Sequence, residues 1–231
     1  MLHPSLKRLA FALLVASVLA GVARPAVAQF LPRYDFAGME FRGVGMDAMR
    51  VWATRIEPTT GVAIRADLGF IGPRVRIMPT ARFWSSSLNN AEVERLASQI
   101  VLVCERQENA TCPETLDLGE VRFSDLEFSL DGHFLLFGNR AIAPYLGAGL
   151  SLHLLNGSGE SINGTFVEDL LDSVAPGIGG LVGSSVHLAS SLALLVEGRF
   201  MLGSDVRYAG ATVGGYWTLP RPSSGFAGLA H

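Results

Sequence analysis

The stretch that decides the fold is Ala141 to Leu155, AIAPYLGAGLSLHLL. Its even positions, Ile142, Pro144, Leu146, Ala148, Leu150, Leu152 and Leu154, are apolar without a break. The odd ones, Ala143, Tyr145, Gly147, Gly149, Ser151 and His153, are small, polar or amphipathic. A period of two is that of a β-strand, whose successive side chains point to opposite faces. One wholly apolar face backed by a small or polar one suits a wall between lipid and a narrow wet interior better than an ordinary protein core.

Seven further segments follow the same logic. Between Met39 and Thr54 the alternation is broken: Glu40 and Arg42 alternate with Phe41 and Gly43, but Asp47 falls out of phase with Arg50 and Trp52. A bulge near Gly43 to Met46 is expected there, because one extra residue flips the facing of everything after it. The next strand sends Val62, Ile64, Ala66, Leu68 and Phe70 outward and Ala63, Arg65, Asp67 and Gly69 inward. After Gly72-Pro73 the third has Val75, Ile77, Pro79, Ala81 and Phe83 outside, with Arg74, Arg76, Met78, Thr80, Arg82 and Trp84 inside. Pro79 is its weak point, since proline donates nothing to a ladder. The fourth places Asp125, Glu127, Ser129, Asp131 and His133 inside, and Ala141 to Leu155 is the fifth. The sixth, Val174 to Leu188, carries Gly177, Gly179, Gly183, Ser185 and His187 inward. The seventh has Glu197 and Arg199 inside, and the eighth, Val206 to Leu219, has Tyr208, Thr212 and Tyr216.

The connections alternate in length. Gly72-Pro73, Gly138 to Arg140 and Leu188 to Ser191 are short, whereas 88 to 118 and 156 to 173 are long, with Glu57 to Thr60 and Gly203 to Asp205 on the same side as the long ones. The expected fold is all-β: an eight-stranded antiparallel up-and-down transmembrane β-barrel over 38–219, with both termini at one end. In the first long excursion Asn90 is expected to cap a short helix carrying Val93, Leu96, Ala97, Ile100 and Val103 at helical spacing. Cys104 and Cys112, the only cysteines, are expected to close a disulfide that braces this extracellular loop against the barrel rim. Two cysteines without nearby histidines supply half a metal-ligand set, and no metal or other cofactor is expected.

The N-terminus sets the compartment. Lys7 and Arg8 precede an apolar run from Leu9 to Ala20 and the small-residue site Ala26-Val27-Ala28, the pattern of a signal peptide over 1–28. The run is shorter than the roughly 20 residues a spanning helix needs. Residues 29–37 read as a lead-in and 220–231 as a tail. Cleavage removes three of the 18 basic residues and none of the 21 acidic ones, so the net charge becomes −6 and nothing suggests nucleic acid.

The faces supply an energetic check. Arg65, Asp67, Arg76, Arg82, Asp125, Glu127, Asp131, Glu197 and Arg199 all fall opposite the aliphatic face. An arginine on the lipid side at mid-bilayer costs about 2 to 4 kcal/mol, so errors of register would be fatal. An eight-stranded barrel has an interior just wide enough for side chains to fill. These nine residues are therefore expected to form a plugged, ion-paired lumen that conducts poorly.

No nucleophile elbow, zinc helix or phosphate loop occurs. Ser151 and His153, and likewise Ser185 and His187, stand two apart on one face, but they and His133 read as polar lumen filler, and the chain is expected not to be an enzyme. Two other readings stay open: a lipid-modifying outer-membrane enzyme, and a soluble secreted barrel that binds an apolar ligand with its faces inverted.

In the last strand, Thr212-Val213-Gly214-Gly215-Tyr216-Trp217-Thr218-Leu219 looks like the terminal strand signal of bacterial outer-membrane barrels, carried by Thr212, Gly214, Trp217 and Leu219. With VEGRF at 196–200 and APYLGAGL at 143–150, the chain resembles the eight-stranded OmpA-like and opacity-type barrels. Leu219 stands where an aromatic is usual, and a tail follows it. The resemblance implies a structural or surface-interaction role in the cell outer membrane, with lipid and lipopolysaccharide around the wall and the barrel-assembly machinery as a partner during insertion.

Overall fold

A computed structural model describes residues 35–106, 116, 118–137, 141–159 and 171–219. Among these residues, eight strands form one closed antiparallel barrel in which every strand pairs with its neighbours in sequence and β1 pairs with β8. They are β1 (Met39–Ala53), β2 (Thr59–Ile71), β3 (Val75–Ser87), β4 (Arg122–Leu135), β5 (Ile142–Ser158), β6 (Ser173–His187), β7 (Leu192–Gly203) and β8 (Arg207–Thr218). Among the described residues, a helix, α1 (Asn90–Glu105), stands between β3 and β4. The expected signal segment, Cys112, the Gly138 to Arg140 turn and the tail lie outside the described residues, as does most of the long loop after β5.

The period-two reading holds along the wall. On β5 the odd positions from Ala143 to Leu155 point inward, and Leu150 between them is 68% exposed on the outer surface. One outward residue from each strand, Met46, Ile64, Phe83, Leu130, Leu150, Ile178, Val196 and Val213, is between 47% and 68% exposed. An apolar belt therefore runs unbroken around the barrel.

Three local expectations are corrected. The bulge in β1 lies between Met39 and Gly43, ahead of the expected Gly43 to Met46. From Gly43 onward β1 alternates cleanly, which buries Asp47 in the lumen and leaves Arg50 and Trp52 on the outer face. Arg74 is exposed in the β2–β3 turn and His187 at the end of β6, where both were expected inside. The helix cap is Asn89, one residue earlier than expected, with its side-chain oxygen accepting from the Glu92 amide at 2.9 Å.

Pro79 is accommodated by a second bulge. Pairing between β2 and β3 breaks off after Arg65–Thr80 and resumes at Phe70–Arg76, so the missing amide of Pro79 falls where the β2 ladder is interrupted. Gly69, at φ 80°, takes the left-handed conformation that this bulge requires.

α1 lies across the mouth opposite the start of β1 and the end of β8. Its Val93, Leu96, Ala97 and Ile100 pack on a buried apolar cluster of the upper lumen that includes Met49, Val51, Trp84, Leu155, Met201 and Tyr208. The helix start is tied to the rim: the Asn89 amide donates to Arg55 carbonyl at 3.0 Å and its side-chain amide to Thr54 carbonyl at 3.3 Å. The excursion expected to pack on the rim is thus the lid of the lumen.

Candidate functional site in the lumen

The inward positions of seven strands meet in one polar network. Arg65 on β2 donates through Nε to Asp47 Oδ2 at 2.6 Å and through Nη1 to Glu197 Oε2 at 3.3 Å, joining β1, β2 and β7. Arg82 on β3 reaches Glu127 Oε1 at 2.9 Å, Ser129 Oγ at 2.7 Å and Asp131 Oδ2 at 3.0 Å, all on β4. Arg199 on β7 approaches Asp131 from the other side, with Nη1 at 3.2 Å from Oδ1. Below these, Arg76 makes two bonds to Asp67 Oδ2 at 2.9 and 2.7 Å, and the Tyr216 hydroxyl donates to the same oxygen at 2.6 Å.

The nine charged residues expected to form the lumen network are in this interior, and Arg74, also read as inward, is not. Asp47 and three tyrosines join them: Tyr145 donates to Glu197 Oε2 at 2.9 Å, Tyr208 donates to Glu127, and Tyr216 to Asp67. The imidazole of His133 stacks on Tyr145 with ring centroids 4.4 Å apart. Such a network is expensive to form in a low-dielectric interior, and what it returns is specificity: each pair holds only in one register of the sheet.

Inward glycines make the space. A Cβ at Gly149 would collide with the Asp131 carboxylate, one at Gly214 with that of Asp47, and one at Gly183 with the Tyr145 hydroxyl. These small residues are clearances for the long side chains opposite them.

At the edge of this network the structure brings Asp125 to the pair Ser151 and His153, which was read as polar filler. Ser151 Oγ lies 2.9 Å from His153 Nε2, and His153 Nδ1 lies 2.8 Å from Asp125 Oδ2. Ser151 and His153 share a face of β5 by period alone. Asp125 reaches them from β4, where the residue directly opposite His153 is Glu127, so the contact is diagonal and depends on register. Ser185 is buried but His187 is exposed, so the similar pair on β6 is not gathered in this way.

Asp125, Glu127 and His153 also bring their ligand atoms within 4.8 Å of one another. Glu127 is held by Arg82 and Tyr208, while the Asp125 and His153 atoms face each other in a hydrogen bond. A metal ion would have to break these contacts, so the donor set fits a hydrogen-bonded chain better than a cation.

The soluble carrier with inverted faces is not the observed molecule, because Arg65, Asp125 and Glu197, which that reading sends into water, are buried inside. Cys104 closes α1 and is not a free thiol, and its expected partner Cys112 lies outside the described residues. Thr212, Gly214 and Trp217 lie on β8 against β1, with Trp217 half-exposed on the outer wall, and Leu219 follows the strand with its amide donating to Arg42 carbonyl at 2.7 Å.

No protein-family model and no curated protein sequence matches the chain. Among solved structures, the barrel is similar to Neisserial surface protein A, with 16% identity, a TM-score of 0.52, and coverage of 77% of this chain and 97% of that one. Two weaker likenesses are the N-terminal β-barrel domain of Pseudomonas aeruginosa OprF, at 12% identity, TM-score 0.44 and coverage of 78% and 100%, and the attachment invasion locus protein Ail of Yersinia pestis, at 7% identity, TM-score 0.43 and the same coverage. What the first of these likenesses establishes is the fold, a closed eight-stranded barrel.

Proposed function

We propose that this protein is an integral outer-membrane barrel with a structural or surface-interaction role and a closed, ion-paired lumen. The carrying observation is the division of the wall: an unbroken apolar belt outside, and six carboxylates, Asp47, Asp67, Asp125, Glu127, Asp131 and Glu197, buried inside with four arginines. A soluble monomer rarely exposes an apolar patch beyond a few hundred Å2, whereas a barrel in lipid requires one on every strand. The chain ends then lie in the periplasm, α1 faces the cell exterior, and the segment 1–28 is the export signal removed on the way. Lipid and lipopolysaccharide cover the wall, the barrel-assembly machinery reads β8, and a disulfide from Cys104 to Cys112 braces the loop behind α1.

Membrane fractionation combined with gel mobility tests this reading. The expected result is recovery in the outer-membrane fraction, with an unheated band that migrates differently from the boiled one. A soluble periplasmic protein without that shift would contradict it. In planar bilayers the same protein is expected to show no stable conductance, because Arg65, Arg82 and Arg199 are buried and ion-paired inside a barrel of eight strands.

A further inference from the structure

We propose that Ser151, His153 and Asp125 form a hydrolytic site for carboxylic esters with an apolar acyl group, with Ser151 as nucleophile, His153 as general base and Asp125 as its positioning residue. This departs from the filler role expected of Ser151 and His153, and it does not depend on where the barrel resides.

Three observations distinguish the group from packing. The first is the use of the imidazole. Nε2 faces the hydroxyl and Nδ1 faces the carboxylate, at 2.9 and 2.8 Å. An ionised carboxylate only accepts, so Nδ1 carries a proton and the neutral ring presents the Nε2 lone pair to Ser151. The second is the company Asp125 keeps. Asp47, Asp67, Glu127, Asp131 and Glu197 each pair with an arginine, whereas Asp125, among the described residues, is held by an imidazole, with its Oδ1 buried and lacking a hydrogen-bond partner.

The third is the space and chemistry around Ser151. Gly177 is its partner on β6, and a Cβ there would come within 2.6 Å of Ser151 Oγ and 2.9 Å of His153 Nε2, so only bare backbone lets the hydroxyl and the imidazole meet at this point of the wall. On the other side Ser129 is its partner on β4, and the Arg199 guanidinium donates to Ser129 Oγ at 3.4 Å while its Nε is buried without a partner. Arg199 Nε is thus an unused donor on a guanidinium bonded to the residue that pairs with Ser151, and is suited to a developing oxyanion. Toward the mouth, Ser151 Oγ is 3.3 Å from Met201 Sδ, which belongs to the apolar cluster under α1. The nucleophile thus stands on the seam between a cationic donor and an apolar roof, which matches the carbonyl and acyl ends of an ester.

In the reaction, Ser151 Oγ forms a bond to the carbonyl carbon as its proton passes to His153 Nε2, and Asp125 stabilises the imidazolium through Nδ1. The ester C–O bond breaks, and the departing alcohol takes the proton from Nε2. A water molecule then adds to the acyl-serine, giving its proton to Nε2, and collapse releases the carboxylic acid and returns the proton to Ser151. The net change is ester plus water to acid plus alcohol. Entry is from the mouth, by displacement of α1 from the cluster it covers.

The test uses the full-length purified barrel, first shown to be folded by its heat-dependent gel mobility, which also keeps failure of this proposal separate from failure of the membrane assignment. Incubation with a fluorophosphonate probe, followed by intact mass and peptide mapping, is expected to place one adduct on Ser151. Hydrolysis of p-nitrophenyl butyrate is expected to be lost in Ser151→Ala and to fall at least about 100-fold in kcat in His153→Gln. In Asp125→Asn, kcat is expected to fall with KM unchanged, a split that loss of packing alone would not produce. A folded wild-type barrel that stays unmodified, or that carries the adduct elsewhere than Ser151, overturns the proposal.

Discussion

The half of the lumen that holds the ion pairs and the half under α1 are filled by opposite means. From the level of Glu127 downward, the interior is a lattice of arginines, carboxylates and tyrosines, which includes the pair Arg65 and Glu197, 132 residues apart in sequence. Above it, Met49, Trp84, Leu155, Val206 and Tyr208 form an apolar core that continues into the underside of α1. The two halves demand different precision. An ion pair of that reach holds only if every intervening strand is in register, whereas an apolar cluster tolerates repacking at similar volume. The polar half therefore specifies the barrel, and the apolar half seals it.

This contrast can be broken at chosen points. The largest effect is expected for Arg82→Met, which leaves Glu127 and Asp131 short of their shared partner in a buried site. A loss of about 3 to 5 kcal/mol is expected, read from denaturant unfolding in lipid or detergent by the heat-dependent mobility shift. In the upper half, Leu155→Ala is expected to cost about 3 kcal/mol, as truncation of a buried leucine does, without changing the strand register seen by NMR. If Leu155→Ala disturbed register as much as Arg82→Met, the division of labour would be wrong.

The wall itself supplies the third comparison. Leu150→Arg turns a charge toward lipid and is expected to cost about 2 to 4 kcal/mol in bilayer-based unfolding. The smallest effect is expected at the lid, where Asn89→Ala removes the cap of α1. It should destabilise that helix by about 1 kcal/mol and raise amide exchange in α1 while leaving the strands protected.

Much of this architecture is legible from alternation alone, because a period of two assigns a face to each residue before any partner is known. That is why Arg65, Arg82, Asp131 and Glu197 could be placed inside from sequence. What alternation does not carry is register. Asp125 was assigned to the lumen but not to His153, since the diagonal contact depends on how β4 and β5 are joined. The bulge in β1 was misplaced for a related reason: Glu40 and Arg42 near the strand start are polar without being in the lumen lattice, and they drew the phase break toward Gly43 to Met46. Arg50 was read against Asp47 as a conflict, and the structure resolves it by leaving Arg50 on the outer face. The tyrosines were visible as inward residues, but their hydroxyls as hydrogen-bond donors to Glu197, Glu127 and Asp67 were not. The helix was visible by its spacing, while its role as a lid depended on an apolar cluster assembled from six different strands.

The central claim is that β5 has one face in lipid and one in a closed lumen, and a labelling scan along that strand tests it most directly. Single cysteines at Leu146, Leu150, Leu152 and Leu154 on the even face and at Ala143 and Leu155 on the odd one, in a background with Cys104 and Cys112 replaced by serine, carry a spin label in reconstituted barrels. Contact with a lipid-soluble relaxing agent is expected to be high at 146, 150, 152 and 154 and low at 143 and 155. Equal contact on both faces, or contact on the odd positions, would contradict the account.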